Sequence, residues 1–113
     1  MRKSKYNNKK TCIDGIKFDS KKEGEYYLYL KNQKLRKKIL NFEMQVKYNL
    51  IPAIKDRHTG KSLERAVSYK ADFVVTNLDN SESVIDVKGM RTQVYIIKRK
   101  LMLYTFGIRI IEV

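Results

Sequence analysis

The chain holds one cysteine, one proline, one histidine and no tryptophan among 113 residues. A lone Cys12 cannot close an internal disulfide and cannot build a zinc ribbon or a thiol-redox motif. It suits a reducing cytoplasm. No apolar run approaches the roughly 18–20 residues of a membrane span. The opening MRKSKYNNKK also lacks the apolar segment of a secretion signal, so a soluble intracellular protein with no membrane partner is expected. His58 stands in a polar stretch with no cysteine or second histidine nearby, which argues against a metal role for it. The TGKS at 59–62 imitates the end of a phosphate-binding loop. The glycine such a loop needs five residues before Gly60 is Lys55, however, and no strand leads into it, so no nucleotide cofactor is expected.

Acids are scarce as well: 12 Asp and Glu face 25 Lys and Arg, a formal charge of +13. A chain this short and this basic points to an anionic partner, and nucleic acid is the first choice because each neutralised phosphate releases a counterion. A dispersed, solvated lysine coat is the plain alternative. Clustering favours nucleic acid. The cations gather in an acid-free arm (Arg2, Lys3, Lys5, Lys9, Lys10), in KNQKLRKK with Lys31, Lys34, Lys37 and Lys38, and around Lys98 and Lys100. The basic helix has no clean apolar face opposite its charge, which weakens an acidic-membrane reading.

With 42% hydrophobic residues, the chain can form a real core, and its length suits one domain. Residues 1–10 read as a flexible basic arm and 11–113 as a single domain. Asp14-Gly15 is a tight-turn signal between two short extended pieces. A helix is expected over 20–38, with Ser20 as N-cap and Glu23, Tyr27, Leu30 and Lys34 along one side. A strand over 43–51 ends at Pro52, 55–64 reads as a flexible loop, and a second strand covers 67–76. The turn-rich NLDNS at 77–81 returns the chain into a strand over 84–88. A second helix over 92–104 shows Val94, Ile97, Leu101 and Tyr104 as its core stripe. Gly107 caps it and a last strand runs over 108–113. The order is α-β-β-β-α-β, an α/β fold with helices flanking a mixed four-stranded sheet.

Two aspartates sit on the arms of the predicted hairpin. A turn centred on Asp79 sets Asp72 opposite Asp86; one centred on Asn80 sets Asp72 opposite Lys88; a centre midway sends the two acids to opposite faces. Asp86 and Lys88 share a face at i and i+2. Two carboxylates side by side repel unless a cation lies between them. Hard oxygen ligands suit Mg²⁺ or Mn²⁺, which retain waters and take phosphate oxygens. A neighbouring lysine can orient a water or stabilise a pentacovalent phosphorus, so the kit suffices for phosphodiester hydrolysis. An ordinary Asp–Lys pair on a sheet face fits the spacing equally well.

The segments DGIKFDSKKE (14–23), YKADFV (69–74) and DVKG (86–89) resemble the PD-(D/E)xK nuclease superfamily, and within it a group of small phage and prophage proteins. The similarity runs from about residue 8 to 113. It departs from the superfamily pattern at Ala71, where proline commonly precedes the first acid. The superfamily includes Holliday-junction resolvase-like endonucleases. By this resemblance Asp72 and Asp86 are ligands of Mg²⁺ or Mn²⁺, Lys88 is the catalytic lysine, and Glu23 is a further ligand, direct or through water. Glu23 is equally the fourth residue of a Ser20 capping box. The resemblance also makes Tyr95 and Lys98 candidates for phosphate contacts, where ordinary helix-surface roles are the alternative. Gln45 can face the site or solvent.

The reading that follows is a metal-dependent endonuclease for branched DNA, acting as a homodimer in the cytoplasm of a bacterial host. Its rivals are a DNA-binding module that does not cut and a phage protein that modulates a host enzyme.

Overall fold

The structure, a computed structural model, describes residues 10–87 and 90–113. The basic arm before Lys10, together with Lys88 and Gly89, lies outside the described residues. A small hairpin opens the fold, β1 (Thr11–Ile13) pairing with β2 (Ile16–Phe18) across Asp14 and Gly15, both at positive φ. Then come α1 (Lys21–Leu35), β3 (Asn41–Ile51), β4 (Ile54–Lys55), β5 (Ser62–Glu64), β6 (Val67–Thr76), β7 (Glu82–Asp86), α2 (Gln93–Phe106) and β8 (Ile111–Glu112). The sheet order is β3-β6-β7-β8, antiparallel except for the parallel β7–β8 pair. Without the two small ribbons this is the expected α-β-β-β-α-β core. No helix among the described residues is long and apolar enough to cross a membrane.

Local signals explain most boundaries. Ser20 adopts an extended φ of −147° and its Oγ accepts from the Glu23 N–H at 3.1 Å, which starts α1. Gly24 allows the β1–β2 hairpin to lie against α1, since a Cβ there would stand 3.0 Å from Ile13 Cδ1. Gly107 takes φ 68° and its N–H returns to the Leu103 carbonyl, ending α2 in a left-handed cap.

Five expectations need correction. α1 stops at Leu35, and Lys37, at φ 58°, and Lys38 lie beyond it. β7 starts at Glu82 and ends at Asp86, and β8 is only Ile111–Glu112. The predicted flexible loop over 55–64 is a two-stranded ribbon whose turn is tied by Asp56: its Oδ1 accepts from the N–H groups of His58 and Thr59 at 2.8 and 2.9 Å. The core stripe of α2 is Tyr95 and Met102, whereas Val94, Ile97 and Tyr104 are exposed and Leu101 is only half-buried.

The helices cover opposite faces. Tyr27 and Leu30 of α1 pack with Phe73, Val75 and Ile85, while Tyr95 and Met102 of α2 pack with Val74 and Val84. Along the strands this alternation switches once. Phe42 and Met44 face α1 but Val46, Tyr48 and Leu50 face α2; likewise Phe73 and Val75 face α1 but Tyr69 and Ala71 face α2. The changeover residues are Gln45 and Asp72, which stand opposite one another between the pairs Met44–Phe73 and Val46–Ala71. Gln45 achieves it with φ 55°. Such a local irregularity re-aims side chains without ending the strand.

Candidate active site

The hairpin register settles which acids meet. Phe73 opposes Ile85 and Thr76 opposes Glu82, a register centred on Asp79. One step further along the same register, Asp72 stands opposite Asp86. The turn that enforces it has Asn80 at φ 69°, the Asn77 N–H on the Ser81 carbonyl at 2.8 Å, and Asp79 Oδ1 accepting from the Ser81 N–H. Asp86 is buried at 2% exposure and its Oδ2 accepts from the Tyr69 hydroxyl at 2.5 Å. Asp72 is half-buried and its Oδ2 accepts from the Val87 N–H at 2.8 Å. Both acids line an open hollow of about 300 Å³ with Tyr69, Lys70, Thr92, Tyr95 and Lys98. Thr92 caps α2 by accepting from the Tyr95 N–H at 3.1 Å, so the positive end of that helix dipole belongs to the same hollow.

Glu23 approaches from the other helix. It is buried, its Oε1 accepts from Gln45 Nε2 at 3.0 Å, and it opens on a second hollow of about 310 Å³ that includes Asp19 and Lys17. Ser20 therefore caps α1 as the sequence pattern requires, while the Glu23 carboxylate turns to Gln45. Its carboxyl is pushed up from 4.5 to about 7, first by burial and then by the charges of Asp72, Asp19 and Asp86, with the Gln45 hydrogen bond offsetting part of this. Among the described residues no group of three or more His, Cys, Asp or Glu side chains is gathered closely enough to hold a metal. The structure thus brings Asp72 and Asp86 together and leaves Glu23 within range of their field but in its own hollow. Lys88 is outside the described residues.

Residues 3–110 match a family described as a protein of unknown function (DUF1064). The chain belongs to that family. No curated protein and no solved structure matches it.

The basic candidates of this DUF1064 chain separate into groups. Lys98 is half-buried in the wall of the Asp72–Asp86 hollow. Lys31 is paired with Asp14 at 2.6 Å, and Lys34 donates to Asn41 Oδ1 at 2.9 Å. Asp14, which also accepts from the Tyr27 hydroxyl, is held below the usual carboxylate range by these donors, Lys31 first. Lys37, Lys38 and Lys100 are exposed. Tyr95 is buried in the wall of the same hollow, and its hydroxyl donates to Glu112 Oε2 at 2.6 Å. Burial, first, and that bond push its phenol well above the usual tyrosine range.

Three residues of the DUF1064 site were not singled out from sequence. Lys70 was detectable, since it lies two residues before Asp72 on the same strand side and mirrors the Asp86–Lys88 spacing. Tyr69 and Glu112 carried no such signal. Tyr69 reaches an acid on the neighbouring strand. Glu112 becomes relevant because β8 lies parallel to β7 with Glu112 beside Asp86, where it also takes Arg91 at 2.6 Å and Arg99 at 3.4 Å.

Proposed function

We propose that this DUF1064 protein is a divalent-metal-dependent DNA endonuclease that hydrolyses phosphodiester bonds, as its resemblance to the PD-(D/E)xK superfamily implies. The observation that carries the reading is the β6–β7 register, which sets Asp72 opposite Asp86 in a hollow lined with lysine. Adjacent carboxylates on the two central strands are stable together when a cation lies between them. The Glu23 carboxyl, pushed up first by burial, is pushed further by the charges of Asp72, Asp19 and Asp86, a local excess of negative charge. This donor set of hard oxygens, short of three gathered acids, fits Mg²⁺ or Mn²⁺ that keeps several waters. When bound, such an ion polarises the phosphate and makes a coordinated water more acidic.

The chain's own residues supply the rest. Asp72 and Asp86 would hold the ion, with Glu23 acting through a water. The Tyr69 hydroxyl fixes the Asp86 carboxylate, and the Val87 N–H fixes that of Asp72. Lys98 and Lys70 give the hollow cations for phosphate oxygens. Lys88, assigned by resemblance, would orient the attacking water or stabilise charge on phosphorus. A branched substrate such as a four-way junction needs two symmetric cuts, which a homodimer with a two-fold axis supplies.

One observation favours a second reading, a DNA-binding module that does not cut: among the described residues the acids do not form a group of three. A single experiment separates the two. The purified chain is incubated with branched, flapped and linear duplex DNA in Mg²⁺, Mn²⁺ or chelator. Metal-dependent cutting that Asp86→Asn abolishes while binding persists supports the nuclease. Tight binding with no cutting of any substrate in either metal supports the module.

A further inference from the structure

The sequence assigned DNA contacts to the two helices, yet Lys31 and Lys34 of α1 are already engaged by Asp14 and Asn41. A different basic surface has no such internal use. Lys47 on β3 and Lys70 on β6 are direct cross-strand partners, both exposed. Like charges directly opposite in a sheet destabilise it. Neither lysine has an acceptor among the described residues. They lie one alternate position from Gln45 and Asp72, so this pair adjoins the acidic hollow, which Lys70 itself lines.

At their far end β3 and β6 lead into the β4–β5 ribbon. Across residues 54–65 that ribbon carries Lys55, Arg57, Lys61 and Arg65 against two acids, and every described side chain there except Asp56 is exposed. Asp56 is turned inward on its own turn, accepting the His58 and Thr59 N–H groups, which hold it below the usual carboxylate range. Glu64 is then the one acid facing outward on the ribbon. A short ribbon with a tied turn presents its cations with little ordering entropy to lose on binding.

We infer that the phosphate backbone of a DNA duplex runs along the β3–β6 extension and the β4–β5 ribbon, held by Lys47 and Lys70 beside the acids and by Arg57 and Lys61 further out. This inference rests on the DNA reading above and extends it, because the helices then serve mainly to build the site. A bound phosphate between Lys47 and Lys70 relieves their mutual repulsion, which gives the pair a reason to face one another.

The test measures binding of the full chain to junction and linear duplex DNA by fluorescence anisotropy, in chelator, over a range of salt. Three sets, each removing two positive charges, are compared with wild type: Lys47→Gln with Lys70→Gln, Arg57→Gln with Lys61→Gln, and Lys34→Gln with Lys38→Gln on the α1 side. Each lost phosphate contact lowers the slope of log affinity against log salt by about one. The first two sets are expected to lower it by about two each, and the α1 set to leave it nearly unchanged. Thermal unfolding of the Lys47–Lys70 variant should match or exceed wild type, which excludes misfolding as the cause. If the α1 set takes the slope and the first two sets bind like wild type, this track is wrong while the DNA reading stands. If wild type shows no salt-dependent binding to either DNA, both fail together.

Discussion

Glu23 allows the acidic cluster to be tested without DNA or metal. Its carboxyl is raised from 4.5 to about 7, chiefly by burial and then by Asp72, Asp19 and Asp86. The unfolded chain returns it to the ordinary glutamate value. With the folded value above the unfolded one, the folded state binds the proton more tightly. The stability this confers is fully present below about 4.5 and is lost as pH rises through about 7. At about 1.4 kcal/mol per unit, the loss amounts to about 3 kcal/mol at pH 8. Glu23→Gln keeps the volume and the acceptor for Gln45 Nε2 but removes the titration. Other carboxyls, Asp14, Asp56, Asp79 and Glu112, are shifted downward and stabilise with the opposite sign, so the difference between variant and wild type isolates Glu23. Urea unfolding in chelator between pH 4 and 8.5 is the assay. The variant should equal wild type near pH 4 and gain about 3 kcal/mol by pH 8, a midpoint shift of about 2 M for a typical slope. A difference that is flat with pH, or a variant less stable than wild type at pH 8, refutes the proposed burial of Glu23 in the field of the two aspartates.

Tyr69→Phe removes the hydroxyl that serves the buried Asp86 carboxylate and should lower unfolding free energy by about 1.5–3 kcal/mol, read from denaturant midpoints. Phe73→Ala, at a fully buried position flanked by Tyr26 and Phe42, should cost about 3–5 kcal/mol, whereas Tyr104→Ala should stay within about 0.5 kcal/mol because that ring is 89% exposed. Added Mg²⁺ or Mn²⁺ should raise the thermal midpoint of wild type and leave Asp86→Asn unmoved; equal shifts in both would remove Asp86 from the proposed metal site.

Much of the fold was legible because its signals are local. Ser20 begins α1, Asp14-Gly15 turns the first hairpin and Gly107 ends α2, each through a backbone conformation or hydrogen bond within a few residues. The β4–β5 ribbon was missed because its polar residues show no period-two pattern; the turn bonds of Asp56 define it instead. The stripe on α2 was misread because Val94, Ile97 and Tyr104 have helical spacing as good as that of Tyr95 and Met102. The choice between them depends on where the sheet offers Val74 and Val84.

The candidate site divides the same way. By itself the sequence determined the residue types, the order of elements and the pairing of β6 with β7, since hydrophobic alternation and turn residues act over short range. It left the register open by one residue, and that residue decides whether Asp72 meets Asp86. The turn conformation at Asn80 and the packing of Phe73 and Ile85 under α1 fixed it. Tertiary structure alone also decided the changeover at Gln45 and Asp72. Gln45 stands at positive φ at this changeover, Asp72 shares a hollow with Asp86, and its charge adds to the burial that raises the Glu23 pKa. No local pattern encodes that, because it depends on which side chains the two helices bring to each face of the sheet.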